Sequence, residues 1–326
     1  GGHPGISADY YGRFATTLAA RIAPDNPNFV AIMSQGTSGD LWWGDYSVPP
    51  DKKRFKDFKQ YADELADAAW LATRGLEYHT DVPLAMTEKR IVLNRRTPDE
   101  ARLAWARRKN ALRGDRPPKD RPEVYALQAV YLHENPTEEV VLQAIRLGDL
   151  AITGMPNEVY GLTGLKLKRR SPLGTTMNIS LANGACGYIP PPEQHALGGY
   201  NTWPARTAGL EVQAELKIVE HLLTMLEGIS DQQRRTYHEQ ATDYSRIIDG
   251  SSPYAYWRLH EQQGPVVTDT LGQREIRCSG PMAFHLPGRI DDGFGTVHDS
   301  HAIHLAGGKL VADDLPVGES YSVEFS

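Results

Sequence analysis

Hydrophobic residues recur every three or four positions in three long stretches of the chain, and this spacing predicts amphipathic helices. The stretches are residues 9–23, 52–79 and 206–227. The last pattern is the clearest, because one face carries Val212, Leu216, Val219, Leu223 and Leu226. A face of this kind packs into a core, so we predict three helices that face the protein interior.

Short apolar or alternating runs between turn residues predict strands. Residues 29–33 form a continuous apolar run, residues 83–95 alternate, and residues 175–182 form a further short run. Residues 140–153 contain two such runs separated by Gly148-Asp149, which predicts two strands joined by a tight turn. Strands interspersed with helices predict an α/β fold with mixed sheets and flanking helices.

One polar segment indicates where a further helix begins. Thr97 can cap the helix, Pro98 fits its first position, and Glu100 lies where a capping-box acid belongs. We therefore predict a helix that is capped by Thr97 and begins at Pro98.

The pattern changes near residue 240. Residues 230–244 are polar, and the remainder of the chain is rich in glycine and short alternating runs, which is typical of β structure. We predict an α/β part at 1–235, a linker at 236–245 and an all-β part at 246–326. The chain begins Gly-Gly-His-Pro without Met and ends directly after an alternating apolar run, so we expect both ends to be cut from a longer protein.

Composition excludes several function classes. The formal net charge of −6 gives no general attraction for nucleic acid, and no apolar run approaches the roughly 20 residues of a membrane span. Cys186 and Cys278 fall in different predicted parts, so we predict two unpaired thiols. Residues 88–121 hold twelve Lys/Arg against five Asp/Glu. This run predicts either an anionic-ligand or lipid-headgroup surface, or simply a solvated helix and loop.

A strand-to-helix turn at residues 150–161 offers the first candidate for chemistry. Asn157 is a natural N-cap for a helix over residues 158–169, which would place Glu158 in the first turn. The helix dipole favours an ionised carboxylate there, and such a carboxylate suits metal ligation. The alternative is that Glu158 only complements the dipole.

Two loops offer further candidates. Residues 179–190 run from a strand into a glycine-rich loop that ends at Tyr188, whose hydroxyl could pack, form a hydrogen bond or ligate a metal as phenolate. Residues 35–40 could present backbone N–H groups to an anion. Asp40, at the end of that loop, could orient a histidine or a metal-bound water and is our candidate catalytic residue. A plain turn is the alternative.

Four stretches together resemble the neutral/alkaline, non-lysosomal ceramidase family, in particular a bacterial branch. They are residues 34–40 (Ser-Gln-Gly-Thr-Ser-Gly-Asp), 154–158 (Gly-Met-Pro-Asn-Glu), 181–190 (Leu-Ala-Asn-Gly-Ala-Cys-Gly-Tyr-Ile-Pro) and 198–206 (Gly-Gly-Tyr-Asn-Thr-Trp-Pro-Ala-Arg). The resemblance spans roughly residues 5–228, the back half of the catalytic domain. It implies a secreted, periplasmic or cell-surface zinc amidase that hydrolyses an N-acylated lipid or a related small molecule.

The resemblance also implies roles for residues. The family's zinc is held by two histidines, one glutamate and one tyrosine, and Glu158 and Tyr188 match the last two. Tyr200 matches a second tyrosine of the pocket. Asn183 and Gly187, in the loop that ends at Tyr188, are implied to support the ligands or the substrate.

Two departures from the family pattern limit what the resemblance implies. The family's histidine ligands belong to its N-terminal half, so we expect them upstream of residue 1 and expect this chain alone to be inactive. The position of the family's serine, two residues after Gly39-Asp40, holds Trp42. The resemblance then implies attack by a zinc-activated water. The alternative is a non-catalytic relative that binds glycan or lipid at a surface.

The tail resembles the opening of a laminin-G-like or concanavalin-A-like module. The resemblance lies in residues 256–261, 288–294, 304–307 and 321–325. It implies an incomplete β-sandwich, with carbohydrate as a possible partner. Trp257 and Phe325 are predicted to be core residues, because inward-facing aromatics dominate such cores.

Overall fold

A computed structural model describes most of the chain and gives the bounds of its elements. It describes residues 5–41, 49, 57–236, 241–272, 274–288, 300–313, 315–316 and 318–324. The α-helices of these ranges are α1 (Asp9–Ile22), α2 (Phe58–Ala72), α3 (Glu100–Arg113), α4 (Arg121–Glu134), α5 (Gly161–Arg170), α6 (Gln194–Leu197), α7 (Ala214–Ser230) and α8 (Asp243–Gly250). The strands are β1 (Leu84–Asn94), β2 (Thr137–Leu147), β3 (Leu150–Gly154), β4 (Glu158–Val159), β5 (Thr175–Ile179), β6 (Tyr188–Ile189), β7 (Val266–Thr268), β8 (Glu275–Ser279), β9 (Ala283–Pro287), β10 (His301–His304) and β11 (Lys309–Val311).

A mixed four-stranded sheet with the order β1-β2-β3-β5 organises the first part of the chain. The first three strands are antiparallel neighbours, and β3 pairs in parallel with β5 after a connection that contains α5. Gly148 turns the chain between β2 and β3 with a φ of 62°. The α/β prediction and the predicted pair of strands around Gly148 are both confirmed.

The main core lies between one face of this sheet and α7. The sheet contributes alternating residues such as Ile91 and Val140, which are paired in the β1–β2 register. The helix contributes Ile218, Leu222 and Leu226, which are fully buried at helical spacing. Of the predicted face, Val219, Leu223 and Leu226 are buried, whereas Leu216 is only partly buried and Val212 is exposed. Val212 lies before the helix, which begins at Ala214, and residues 206–208 form only a 3-10 turn.

Aspartates cap the helices that precede and follow β1. Asp57 accepts hydrogen bonds from the first turn of α2, Asp99 from that of α3 and Asp120 from that of α4. Because Asp99 is the cap, the prediction that Thr97 caps this helix is wrong by two residues. A side-chain oxygen at Asp99 satisfies an N–H group of the first turn, which leaves Thr97 and Pro98 outside the helix.

The predicted helix at 158–169 is also wrong in its first turn. Glu158 lies in β4, and α5 begins only at Gly161 with Tyr160 at the N-cap position. The Asn157 side chain does not cap, because it is buried and donates to the Gly187 carbonyl oxygen at 3.3 Å. The argument that a helix dipole favours the Glu158 carboxylate therefore fails.

Two other sequence predictions differ from the structure. Residues 29–33 carry the expected apolar groups, but they form no strand; Ala31 and Met33 pack against the α1–α2 pair instead. The predicted helix at 52–79 corresponds to α2, which is shorter. Residues 52–56 of that prediction lie outside the described residues.

The tail contains small antiparallel sheets after α8. One has the order β11-β8-β7, and the other pairs β9 with β10. Gly264 donates its backbone N–H to the Glu193 carboxylate at 2.8 Å, which joins the tail to the loop before α6. Trp257 is partly buried, whereas Phe325 and residues 289–294 lie outside the described residues. Completion of a β-sandwich stays a prediction.

Two predictions about the chain as a whole can be compared with the structure. Cys186 and Cys278 are both free thiols, as predicted. None of the helices in the described ranges is long and apolar enough to cross a membrane.

Candidate active site

A parallel pair of two-residue strands holds the two principal candidate residues. In the β4–β6 register Glu158 lies opposite Tyr188, and Val159 lies opposite Ile189. The Glu158 backbone N–H donates to the Gly187 carbonyl oxygen at 3.0 Å. Neighbouring side chains on paired strands project to the same face, so this register brings the carboxylate and the phenol together.

The side chains of this pair form a polar cluster with Tyr200. The Tyr188 and Tyr200 hydroxyl oxygens lie 3.2 Å apart, and their rings meet edge to face with centroids 5.6 Å apart. Burial raises the pKa of the Tyr188 hydroxyl, and its hydrogen bonds with Tyr200 and with the Glu158 carboxylate raise it further. With its pKa raised in this way, Tyr188 is a neutral phenol at pH 7. The predicted convergence of Glu158 and Tyr188 is found, with Tyr200 beside them.

Gly187 permits the close approach on which the strand pair depends. Its φ is 78°, and a Cβ atom at this position would lie 2.5 Å from the Thr207 carbonyl oxygen. The residue is buried, so a side chain could not turn into solvent. Glycine is thus required here both by conformation and by space.

Backbone hydrogen bonds fix the glycine-rich loop against the turn that leads to Glu158. Cys186 donates its N–H to the Pro156 carbonyl oxygen at 2.6 Å, Ala182 to that of Met155 at 3.0 Å, and Leu181 to that of Asn157 at 3.1 Å. Residues 155–157 are almost completely buried. Both candidate residues therefore follow rigid segments, and their separation is set by the backbone.

The loop at residues 35–40 packs behind β4. Gly39 donates its N–H to the Val159 carbonyl oxygen at 2.7 Å, and a Cβ atom on Gly39 would lie 2.8 Å from the Glu158 carbonyl oxygen. The Asp40 carboxylate accepts from the Gly161 N–H at 2.7 Å. Asp40 thus caps α5 from a distant segment, which is the contact that the structure gives it; a catalytic role for Asp40 stays a prediction.

Sequence reasoning missed Tyr160, which joins this loop to the cluster. It is 4% exposed, and burial raises the pKa of its hydroxyl. The negative charge of Asp40 adds to the rise, the hydrogen bond with Asn201 opposes it, and Tyr200 contributes a smaller upward effect. Its position at the N-cap of α5 was hidden in the sequence by the stronger cap signal of Asn157.

Arg96 was also missed, and it fixes the segment that carries Tyr200. Its guanidinium donates to the Thr202 carbonyl oxygen at 2.8 Å and also to that of Ala208. Its backbone N–H donates to the Gly209 carbonyl oxygen at 2.7 Å. The only sequence signal was a basic residue directly after a strand.

Other sequence candidates lie apart from the cluster. The Asn183 side chain donates to Gln143 on β2 at 2.8 Å rather than to Glu158 or either tyrosine. Trp42, at the family's serine position, lies outside the described residues. In the described ranges no group of three or more His, Cys, Asp or Glu residues could hold a metal ion. The candidate ligand set is instead one carboxylate with tyrosine hydroxyls.

Of the comparisons with known proteins, only the one with solved structures finds similar chains. No protein-family profile and no curated protein matches the chain. The structure is similar to neutral ceramidase from Pseudomonas aeruginosa, with a TM-score of 0.46 and 13% identity over 73% of this chain and 43% of that one. It is also similar to a ceramidase complexed with C2, with a TM-score of 0.45 and 13% identity over 73% of this chain and 44% of that one. The chain spans less than half the length of either structure.

Proposed function

We propose that this chain supplies two ligands to the metal centre of a zinc-dependent hydrolase that cleaves the amide bond of an N-acylated lipid or a related substrate. The observation that carries the proposal is the pairing of Glu158 with Tyr188, two residues that the sequence resemblance independently matches to zinc ligands. By the same resemblance, the enzyme acts outside the cell, in the periplasm or at the cell surface.

The donor atoms of the cluster are compatible with such a centre. Glu158 and Tyr188 lie opposite each other in the strand register, and the interaction with the Glu158 carboxylate contributes to the raised pKa of the Tyr188 hydroxyl. A cation bound between them would take the place of the Tyr188 proton. Catalytic zinc sites use about three protein ligands and a water. Two oxygen ligands alone do not complete such a site. The remaining ligands would be the histidines that we expect upstream.

The residues around the pair would hold it in position for catalysis. The Gly187 backbone fixes the distance between β4 and β6, and the Tyr200 hydroxyl orients that of Tyr188. Tyr200 is 62% exposed, so its ring faces solvent and is available to a substrate. When Tyr188 is the ionised ligand, the Tyr200 hydroxyl donates its one proton to the Tyr188 oxygen and can accept a hydrogen bond from a substrate N–H or O–H group.

The zinc would contribute the electrophilic part of the chemistry. When bound, it supplies a Lewis acid for an amide carbonyl and lowers the pKa of a water. The chain's own contribution is a negative carboxylate, a phenol that can release its proton, and a rigid backbone that holds both.

The test is amide hydrolysis by the chain together with its upstream sequence, because the resemblance puts the two histidines there. A fluorescent N-acyl sphingoid base serves as substrate, and the release of its free amine is measured with zinc, after chelation and after zinc is returned. Glu158→Gln and Tyr188→Phe should each lower kcat/KM by at least about 100-fold, because loss of a direct ligand costs more than the 10–100-fold seen for outer partners.

Glu211→Gln and Tyr78→Phe are the matched controls, since they make the same chemical changes away from the cluster. They should leave kcat/KM unchanged. Turnover that survives chelation, or that survives both cluster substitutions, would contradict the proposal. Saturable substrate binding with neither zinc nor turnover would favour the alternative of a non-catalytic lipid- or glycan-binding relative.

A further inference from the structure

A shallow groove of about 550 Å³ lies between α3, α4 and the segment that follows Tyr200. This volume falls within the range of small-molecule sites. The groove is separate from the β4–β6 pair. One backbone hydrogen bond connects the two regions, because the backbone N–H of Trp203 donates to the Tyr200 carbonyl oxygen at 3.3 Å. Its lining includes Arg102, Trp105, Arg121, Tyr125 and Trp203.

Aromatic rings form the floor of the groove, and two arginines lie over them. The Arg102 guanidinium carbon is 5.6 Å from the centroid of the Trp105 ring, and that of Arg121 is 5.8 Å from the centroid of the Trp203 ring. Tyr125 meets Trp203 edge to face at 5.7 Å. Stacking on the rings restricts both guanidinium groups and leaves their N–H donors available at the rim.

Among the described residues, no acid pairs with the two arginine side chains of the groove; the neighbouring Asp99 and Asp120 cap the backbone of α3 and α4 instead. In the described part of the chain, neither Arg102 nor Arg121 forms an ion pair or a side-chain hydrogen bond with another residue, and no carboxylate lines the groove. The nearby acid Glu123 is occupied by Arg116, and the pKa of this carboxyl is lowered to about 2 mainly by that contact. In the part of the chain that the structure describes, the groove therefore has two arginine side chains without an ion-pair partner beside an apolar lining.

This combination favours one class of ligand. A quaternary ammonium group would be repelled by the two guanidinium charges beside the rings. A neutral sugar would leave both guanidinium charges without a counter-ion, and the lining offers it no side-chain amide or carboxylate, only the Tyr125 hydroxyl and two indole N–H groups. An apolar body would bury against the rings, and an acid group would bind both guanidinium groups.

We propose that this groove binds an anionic amphiphile, with its apolar chain on Trp105, Tyr125 and Trp203 and its acid group between Arg102 and Arg121. The same chemistry can come from a free amphiphile or from an acidic lipid in a bilayer. The proposal requires neither zinc nor turnover, so it stands or falls independently of the proposed hydrolase activity.

The test is calorimetric titration of the 326-residue chain with decyl sulfate below its critical micelle concentration. Wild-type protein should bind it saturably and should bind neutral decyl maltoside at least about tenfold more weakly. The double variant R102Q/R121Q should weaken decyl sulfate binding by at least about tenfold, because two charge-assisted hydrogen bonds are lost. R107Q/R108Q, at exposed positions of α3 outside the groove, should bind like wild type.

Circular dichroism and the thermal midpoint establish that all variants are folded. Sedimentation with phosphatidylcholine vesicles, with and without phosphatidylglycerol, distinguishes the two sources. Sedimentation that depends on the acidic lipid and on Arg102 and Arg121 supports a bilayer lipid, whereas its absence together with decyl sulfate binding supports a free amphiphile. Absence of saturable decyl sulfate binding, or equal binding by R102Q/R121Q, would overturn the proposal. Equal affinity for decyl maltoside would overturn it as well.

Discussion

Glu158 and Tyr188 lie opposite each other in two short parallel strands, and the Glu158 carboxylate contributes to the raised pKa of the Tyr188 phenol. Neighbouring strands are about 4.8 Å apart, which is a suitable distance for two side chains to share one cation or one proton. The two residues belong to separate loops of the sequence. Their convergence therefore depends on the backbone contact between Glu158 and Gly187 and on the rigid segments that precede them.

The first prediction concerns Gly187. Gly187→Ala should destabilise the protein by about 2 kcal/mol or more, because a side chain at a φ of 78° is strained and its Cβ would collide with the Thr207 carbonyl. It should also widen the β4–β6 pair and lower metal affinity. Urea unfolding gives the free energy of the change. Gly36→Ala is the matched control, since a Cβ atom there would meet nothing within 4 Å. Equal stability of the two variants would refute the strain argument.

The second prediction concerns a buried ion pair between α5 and α7. The Lys166 ammonium lies 3.0 Å from the Glu215 carboxylate, which also accepts from the Thr163 hydroxyl at 2.9 Å. Lys166→Met should cost about 3–5 kcal/mol, because it leaves a buried carboxylate without its counter-ion. The double variant K166M/E215M should recover most of this loss. Both free energies come from denaturant unfolding.

Lys217→Met serves as the control for the ion-pair prediction. Lys217 pairs with Glu211 at the surface, with 47% of its side chain exposed, so its loss should cost at most about 1 kcal/mol. A cost for Lys166→Met as small as that for Lys217→Met would show that the buried pair contributes little.

The third prediction concerns pH. His195 lies on α6, and burial together with the positive charge of Arg96 lowers its pKa from 6.5 to about 4. Between pH 4 and 6.5 the unfolded chain therefore binds a proton that the folded protein does not, so stability falls as the pH is lowered through this window. His195→Asn should make the unfolding free energy less dependent on pH there. The exposed control His79→Asn should leave the slope unchanged, and an unchanged slope for His195→Asn would contradict the prediction.

The sequence predicted well those elements whose signals are local. The apolar stripes of α1 and α7 and the turn at Gly148 lie within short stretches, and each was found close to its predicted place. The strand at 29–33 was wrong because its apolar groups pack against helices, which an apolar run alone does not distinguish from a sheet.

The candidate site shows where local signals fail. Asn157 has the strongest capping preference near α5, yet its side chain binds the Gly187 carbonyl, and Asp40 caps the helix from more than a hundred residues away. Tyr160 therefore takes the N-cap position, and Glu158 becomes part of a strand. Only the family resemblance linked Glu158 with Tyr188, since no spacing rule predicts a strand pair of two residues.

The most direct test of Glu158 and Tyr188 as metal ligands is the position of bound zinc. Crystals of the 326-residue chain, soaked at high zinc concentration because two ligands bind the ion weakly, would be measured at the zinc absorption edge. We predict an anomalous peak about 2.0–2.2 Å from both a Glu158 carboxylate oxygen and the Tyr188 hydroxyl oxygen, and its loss in Glu158→Gln and Tyr188→Phe. Ordered zinc elsewhere, with no peak at this pair, would contradict the assignment of Glu158 and Tyr188 as metal ligands.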